Sequence, residues 1–517
     1  MNLNKPLASV LCTALLLSPA AVLPAAAEDS PTVLYYGDVN VDGEVDVRDI
    51  ISLQKHLLGQ SRLTSEGAAT CADLNNDGCI DVFDLGLLKQ MIITDRQNRE
   101  DGNFILAPLR DFYGTMPSQG GSRMMVFYVD FPDCKYSYEP SMEEISNACF
   151  GYNNNTADPN YPFTSIRSFY FRSSKGVLDL NGRVFRYTAK NPITYYQVND
   201  SGEADDDKGR LMTEIFQYFN RFVDFSEFDS DKDGIIDNIL VSVPKTASED
   251  DWWPSSGQNY SNLEADGVKI GHTTIGYDQI ESADDHRKFV STYVHETGHT
   301  MGLPDYYLCH SEDIEGFHGE AGTEMMDSDN YSDFGCFSKL MLGWYREKQV
   351  QVYDTAKGGT QTFLLKNAQS TAGNCLILPC GTLDSNFNSE YMIFEFNTDQ
   401  QNNCGVNRDK TAEYGFTVAS GVRGFHVQAA AEDYDSFRWL IYQTGVEQVS
   451  PDSGTRLIRL INDAEGGNVF KTGDVIDGKL SGFHWYAPDE SESVETGYTV
   501  QIGELTGGAY TVTVSRS

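Results

Sequence analysis

The sequence predicts a multidomain protein: a small all-α module near the N-terminus, an α+β domain in the middle and an all-β region behind it. Three observations carry this prediction. An acidic loop followed by an apolar-periodic helix occurs twice within the first hundred residues. Mixed strand and helix patterns lead up to a helix with histidines at i and i+4. Short apolar runs between Gly, Asn and Asp turns fill the chain after Trp344.

In order along the chain, Lys5 precedes an apolar run from Leu7 to Leu23, and Ala25-Ala26-Ala27 stands before acidic Glu28 and Asp29. This reads as a signal peptide over 1–27 and predicts a secreted, extracellular protein. No later stretch has eighteen uninterrupted apolar residues. With 38 basic against 76 acidic side chains the formal charge is −38, which argues against nucleic acid and anionic lipid as partners and favours cations, calcium above all. Of ten cysteines Cys12 falls in the leader, so the remaining number is odd. They form no CxxC pair, and Cys375 and Cys380 are near enough in sequence to bridge across a turn.

Residues 36–96 hold the duplication. Asp38-Val-Asn40-Val-Asp42-Gly43-Glu44 leads to Asp46 and Asp49, and Asp73-Leu-Asn75-Asn-Asp77-Gly78-Cys79 leads to Asp81 and Asp84. Oxygen-bearing side chains at positions one, three, five, nine and twelve with glycine at six make a calcium loop. The helices expected after the loops start at Ile50 and Leu85, and none is expected before either loop.

Loop, helix, linker, loop, helix resembles a type I dockerin, a calcium-folded module that plugs into a cohesin on a scaffoldin. The resemblance implies calcium ligands Asp38, Asn40, Asp42 and Asp49 with the Glu44 carbonyl, and Asp73, Asn75, Asp77 and Asp84 with the Cys79 carbonyl. The pairs that help choose the cohesin in dockerins are Val47-Arg48 and Val82-Phe83 here, and they differ between the halves.

Residues 97–121 read as a linker with a short docking strand around Phe104 to Leu109. The central domain is set at 122–347. Met124 to Val129 is a buried strand, and Ser165 to Tyr187 suggests a helix followed by a hairpin. A third acidic loop, with Asp229, Asp231, Asp233, Asp237 and the Ile235 carbonyl as calcium ligands, precedes an apolar strand from Ile239 to Val243.

His295-Glu296-Thr-Gly-His299 follows. Histidines at i and i+4 share a helix face and can offer two nitrogens to one zinc ion. Glu296 stands beside such an ion, where its carboxylate can take a proton from water whose pKa the ion lowers to about 7. Gly302 lets the chain reverse and Pro304 stiffens the return, so that Asp305 can be the third ligand. Three protein ligands leave one position open. Beyond lie Thr323-Glu324-Met325-Met326-Asp327-Ser328 and the run to Trp344.

These pieces, together with Phe131-Pro132-Asp133, Trp252-Trp253-Pro254 and Tyr307, resemble the secreted zinc metalloproteases of the immune inhibitor A type, relatives of the metzincins. The resemblance implies a metzincin-like fold, Asp305 as zinc ligand in place of a third histidine, and Met326 in a Met turn under the metal. Ser328 stands where metzincins have a tyrosine, which leaves Tyr331 as the candidate oxyanion donor. No inhibitory propeptide is recognisable.

Residues 348–517 predict strands near Thr362–Leu365, Leu376–Leu378, Tyr391–Phe396, Leu440–Tyr442, Tyr498–Ile502 and up to Val514, forming a sandwich-like region packed on the central domain. His426 and Glu395 read as hydrogen-bonded core residues. The function expected is a zinc endopeptidase tethered to a cohesin-bearing scaffoldin in a cellulosome-like complex. The alternatives are a silent binding or adhesion protein on the same fold, and a hydrolase of cell-wall peptides.

Overall fold

The computed structural model describes residues 36–516 apart from 43–44, 66, 75–77, 101–104, 106, 113, 197–204, 246–251, 258–262, 307–323, 328–331, 405–418, 435–436, 441–456, 462–468 and 487–492. The signal peptide expected at 1–27 lies outside the described residues, as do Glu44, Asn75, Asp77, Tyr307, Ser328 and Tyr331.

In the N-terminal module, helix α1 (Val47–Leu57) starts on Asp46, whose carboxylate accepts the Arg48 amide while Asp49 reaches back to the Asp46 amide. This reciprocal cap satisfies donors that a helix start leaves open. A short helix α2 (Ala68–Ala72) stands directly before Asp73, so the second loop does have a helix ahead of it. It is too short for apolar periodicity to reveal. Helix α3 (Val82–Glu100) is longer than its apolar pattern suggests and takes in the first residues assigned to the linker. Leu53, Ala72, Leu74, Leu88 and Met91 form the module's core, and Tyr152 and Phe171 of the central domain close it.

The rest of the expected linker is packed down. Ile105 donates its amide to the Tyr345 carbonyl, and Ala107, Leu109, Phe112 and Met116 are buried. A 3-10 turn (Pro108–Asp111) replaces the docking strand, because Pro108 lacks the amide a strand ladder needs.

The central sheet runs β2-β1-β3-β7-β4, from β1 (Gly120–Asp130), β2 (Leu178–Thr188), β3 (Asn238–Ser242), β4 (Ser255–Gly257) and β7 (Thr273–Gly276), with a small hairpin β5–β6 (Glu264–Ala265, Val268–Lys269) beside it. All pairs are parallel except β4 on β7. Along β1, Met124, Val126 and Tyr128 face one apolar cluster while Met125, Phe127 and Val129 face another. A strand buried on both faces is continuously apolar, as β1 is. Helices α4 (Met142–Phe150) and α5 (Ile166–Ser174) connect β1 to β2, and α6 (Asp205–Phe219) connects β2 to β3. The connections are thus α/β in kind rather than α+β.

The expected hairpin is the single strand β2, paired with β1 along its whole length. Asn181-Gly182, a dipeptide that favours hairpin turns, runs straight through. Gly182 is needed there because a Cβ would lie 2.7 Å from the Phe150 ring and closer still to the Met124 carbonyl oxygen. Helix α7 (Arg287–Thr300) carries the histidine motif, and α8 (Cys336–Met341) follows the Met-containing turn.

Two C-terminal sheets follow. One has the order β15-β12-β11-β10-β8, from β8 (Val350–Val352), β10 (Cys375–Pro379), β11 (Glu390–Asn397), β12 (Gly421–Gln428) and β15 (Ile458–Leu460). The other has the order β16-β19-β20-β9, from β9 (Thr360–Lys366), β16 (Val475–Ile476), β19 (Tyr498–Thr506) and β20 (Ala509–Arg516). Two hairpins, β13–β14 (Ala431–Tyr434, Phe437–Leu440) and β17–β18 (His484–Tyr486, Ser493–Glu495), complete the set described. Leu376, Leu378, Met392 and Phe394 meet Val500, Ile502, Val512 and Val514 in one cluster, so the sheets share a core. Ile377, Tyr391, Ile393 and Val427, on the opposite face, join the cluster that holds Tyr293 and Val294 of α7. The period of two along each strand thus ties the C-terminal region to the metal-motif helix.

Cys375 and Cys380 are not bridged. Extended strand rises about 3.3 Å per residue, which carries them roughly 16 Å apart.

Candidate metal centre

Helix α7 is fixed before its histidines are considered. Phe289, Val290, Tyr293 and Val294 are fully buried, the Tyr170 hydroxyl donates to the Val294 carbonyl at 2.6 Å, and the Tyr293 hydroxyl donates to the Gly276 and Asp278 carbonyls. The helix ends at Thr300 and Gly302 takes φ +93°, a left-handed conformation that favours glycine. The reversal brings Asp305 back over the helix.

Each histidine is oriented by a backbone carbonyl. His295 Nδ1 lies 2.9 Å from the Met325 oxygen and His299 Nδ1 lies 2.7 Å from the Leu303 oxygen. A carbonyl only accepts, so both Nδ1 atoms donate and both Nε2 atoms are turned to the same side. The rings stand at 86° with centroids 5.0 Å apart, and Asp305 Oδ1 lies 3.0 Å from His295 Nε2 and 3.3 Å from His299 Nε2. The three ligand atoms lie within 4.8 Å of one another. Ligands about 2.0–2.2 Å from a zinc ion in tetrahedral array sit roughly 3.3–3.6 Å apart; the two imidazoles and the carboxylate are donors that suit such an ion, and the two Asp305 distances lie near that spacing.

The electrostatics follow from burial and charge. Burial pushes the His295 imidazole down, but the hydrogen bond and charge of Asp305 outweigh it and raise its pKa to about 10. His299 is raised by the same opposition. Burial pushes Asp305 up, yet the two imidazoles hold it far below the usual carboxylate range. Glu296 is 6 % exposed, beside this pair on the helix.

Below the histidines, Met326 presses its sulfur against Gly298, where a Cβ would lie 2.6 Å from it. The carbonyl that holds His295 is that of Met325, and the Met326 carbonyl receives the Tyr306 amide at 2.8 Å. Fully buried Glu324 fixes the turn by accepting from the Met326 amide at 2.6 Å, the Gly335 amide at 3.0 Å and the Ser338 hydroxyl at 2.6 Å. Sequence reasoning quoted Glu324 without giving it this role. It also missed His272, buried just ahead of β7, 3.3 Å from the Ser256 hydroxyl of β4 and held neutral by burial and by the charge of His299, with a pKa of about 3. A single histidine outside a periodic pattern carries no signal of its own.

In the third acidic loop the structure brings together Asp229, Asp231 and Asp237. Asp233 instead accepts the Ile235 amide at 2.8 Å. Asp237 is fully buried and accepts the Arg123 and Ser230 amides; burial raises it to about 7. In the N-terminal loops the two position-twelve aspartates act alike. Asp49 accepts the amides of Asn40 and Asp46, and Asp84 those of Leu74 and Asp81. Asp38 accepts the Asp42 amide, and Asp73 the Gly78 amide, where Gly78 has φ +79°. Cys79 is exposed. Val47, Val82 and Phe83 are exposed as well, at 56 %, 68 % and 69 %. In the C-terminal sheet, buried His426 is hydrogen-bonded to Glu390, and partly buried Glu395 is paired with buried Arg423.

Residues 36–93 match the family model of the Dockerin type I domain. No curated protein matches the chain. Dockerin domains bind calcium and pair with cohesins on a scaffoldin, and the proteins that carry them are typically extracellular components of cellulosomes. Among the described residues no helix is long and apolar enough to cross a membrane.

Proposed function

We propose that the chain is a zinc-dependent endopeptidase of the metzincin-like, immune inhibitor A type, secreted and held on a cohesin-bearing scaffoldin by its N-terminal module. The observation that carries this reading is the convergence of His295, His299 and Asp305 beside buried Glu296. Those three residues would hold a zinc ion, which would supply Lewis acidity to polarise a carbonyl and lower the pKa of water to about 7. Glu296 takes the proton from the attacking water and hands it to the leaving amine. The carbonyls of Met325 and Leu303 keep both imidazoles aimed while this happens.

Strand β4 supports a peptide as substrate. It ends the sheet, pairs antiparallel with β7 and lies against α7, so it offers backbone groups to an extended chain beside the site. In the acidic loop, Asp229, Asp231 and Asp237 are the set that would hold a calcium ion.

Replacing Glu296 by glutamine removes the base while keeping its shape. Glu296→Gln is expected to retain one zinc per chain and to lose casein hydrolysis by at least about a hundredfold, within the range general-base removal produces. Wild-type activity in that variant would refute the assignment.

A further inference from the structure

The residues that hold the zinc-motif bend in place come from the segment ahead of β1, about 185 residues earlier in the chain. Thr115 and Met116 both donate their amides to the Thr300 carbonyl at 2.9 Å. Helix α7 ends there, and its last carbonyls have no partner within the helix. The Thr115 hydroxyl donates to the Asp237 carbonyl at 3.0 Å and accepts the His272 amide at 2.9 Å. Thr115 thus joins the residue ahead of β3 and the residue ahead of β7 through its hydroxyl, and the end of α7 through its amide.

Gly114 comes closer still. A Cβ there would stand 2.7 Å from the Gly302 nitrogen and 2.9 Å from the Met301 carbonyl carbon and the Thr300 oxygen. All three are backbone atoms, which cannot swing aside as a side chain can. Leu109 and Phe112 approach Gly302 from the same segment, 3.5 Å from where its own Cβ would be. The bend between His299 and Asp305 therefore rests on a floor made of Leu109, Phe112, Gly114, Thr115 and Met116.

We propose that Gly114 and Thr115 are positioning residues for the metal centre: they set the reversed turn that brings Asp305 to His295 and His299. This rests on the reading of those three residues as zinc ligands. Neither residue touches the ligand atoms, so their effect is on where Asp305 arrives. Thr115→Val keeps the shape but leaves the buried Asp237 carbonyl and His272 amide without their hydroxyl partner. Thr115→Ser keeps the hydroxyl. Gly114→Ala pushes the bend directly.

The test is zinc affinity of the full-length chain, by competition with a chelator, together with the visible absorption of the cobalt-substituted protein, which reports ligand geometry. Gly114→Ala and Thr115→Val are expected to bind zinc about ten- to a hundredfold more weakly and to shift the cobalt spectrum, the size seen when groups that orient ligands are removed. Thr115→Ser is expected to stay near wild type. A role confined to stability would lower the melting temperature and leave affinity and spectrum unchanged in the folded variants, and that result overturns the proposal. Should Gly114→Ala fail to fold, Thr115→Val decides. A wild-type chain that takes no zinc brings down the metal reading and this inference with it, whereas equal zinc binding by wild type and variants overturns only the inference.

Discussion

His295 and Asp305 lie ten residues apart in the sequence and 3.0 Å apart in space, and under the proposed zinc reading that contact sets how the site would take a metal. Without an ion the imidazole is raised to about 10, because the neighbouring carboxylate outweighs burial. The folded, metal-free chain therefore keeps a proton on His295 throughout the neutral range. Zinc needs that nitrogen's lone pair, so binding releases the proton. Zinc affinity is expected to rise with pH from 6 to 9 and level off only near 10, with proton release measurable in a weakly buffered titration. Affinity independent of pH over that window would show that Asp305 does not hold the proton there. Glu324 belongs to the same scale: it touches no ligand atom, yet its carboxylate fixes the turn whose Met325 carbonyl aims His295.

At the scale of elements, α7 shows how packing overrides intrinsic preference. Alanine is favoured over glycine in a helix interior by about 1 kcal/mol, so propensity alone makes Gly298→Ala stabilising. Here the added methyl meets the Met326 sulfur at 2.6 Å. Overpacking of that kind costs about 1–3 kcal/mol. The variant is expected to unfold at lower urea concentration than the parent, and a higher midpoint would mean that the turn yields freely. The same helix was legible in the sequence because its histidines, its carboxylate and Gly302 are all local. The calcium-loop module was legible through its duplication. The segment around Gly114 was not, since each of its contacts is tertiary and reaches a different element, which leaves no period to read. Strand β2 departs from the expected hairpin for a related reason: Gly182 marks the close approach of Phe150 and Met124, and sequence alone cannot distinguish that from a turn. The edge strand β4, three residues long, is too short for alternation to register.

At the scale of the whole molecule, the dockerin is seated on the central domain. Arg167, fully buried, donates to the Tyr36 carbonyl at 3.0 Å while its other nitrogens grip Asp179, and Tyr152 and Phe171 close the module's core. Calcium bound by the dockerin should therefore support the domain beneath it. Burial raises Asp49 to about 6, so between roughly pH 4, its unfolded value, and pH 6 the folded calcium-free chain binds more protons than the unfolded one. Its stability accordingly falls as pH rises through that window, and calcium, which pairs with the ionised carboxylate, restores it. Chelating calcium is expected to lower the melting temperature of the central domain strongly at pH 7.5 and weakly at pH 5. An equal effect at both, or none on the central domain, would contradict the coupling. Elemental analysis of the purified chain beside His295→Ala, His299→Ala and Asp305→Ala tests whether these three residues hold one zinc ion. One zinc per wild-type chain and a small residual fraction in each variant is the predicted result; zinc absent from the wild type, or undiminished when the ligands are removed, would contradict it.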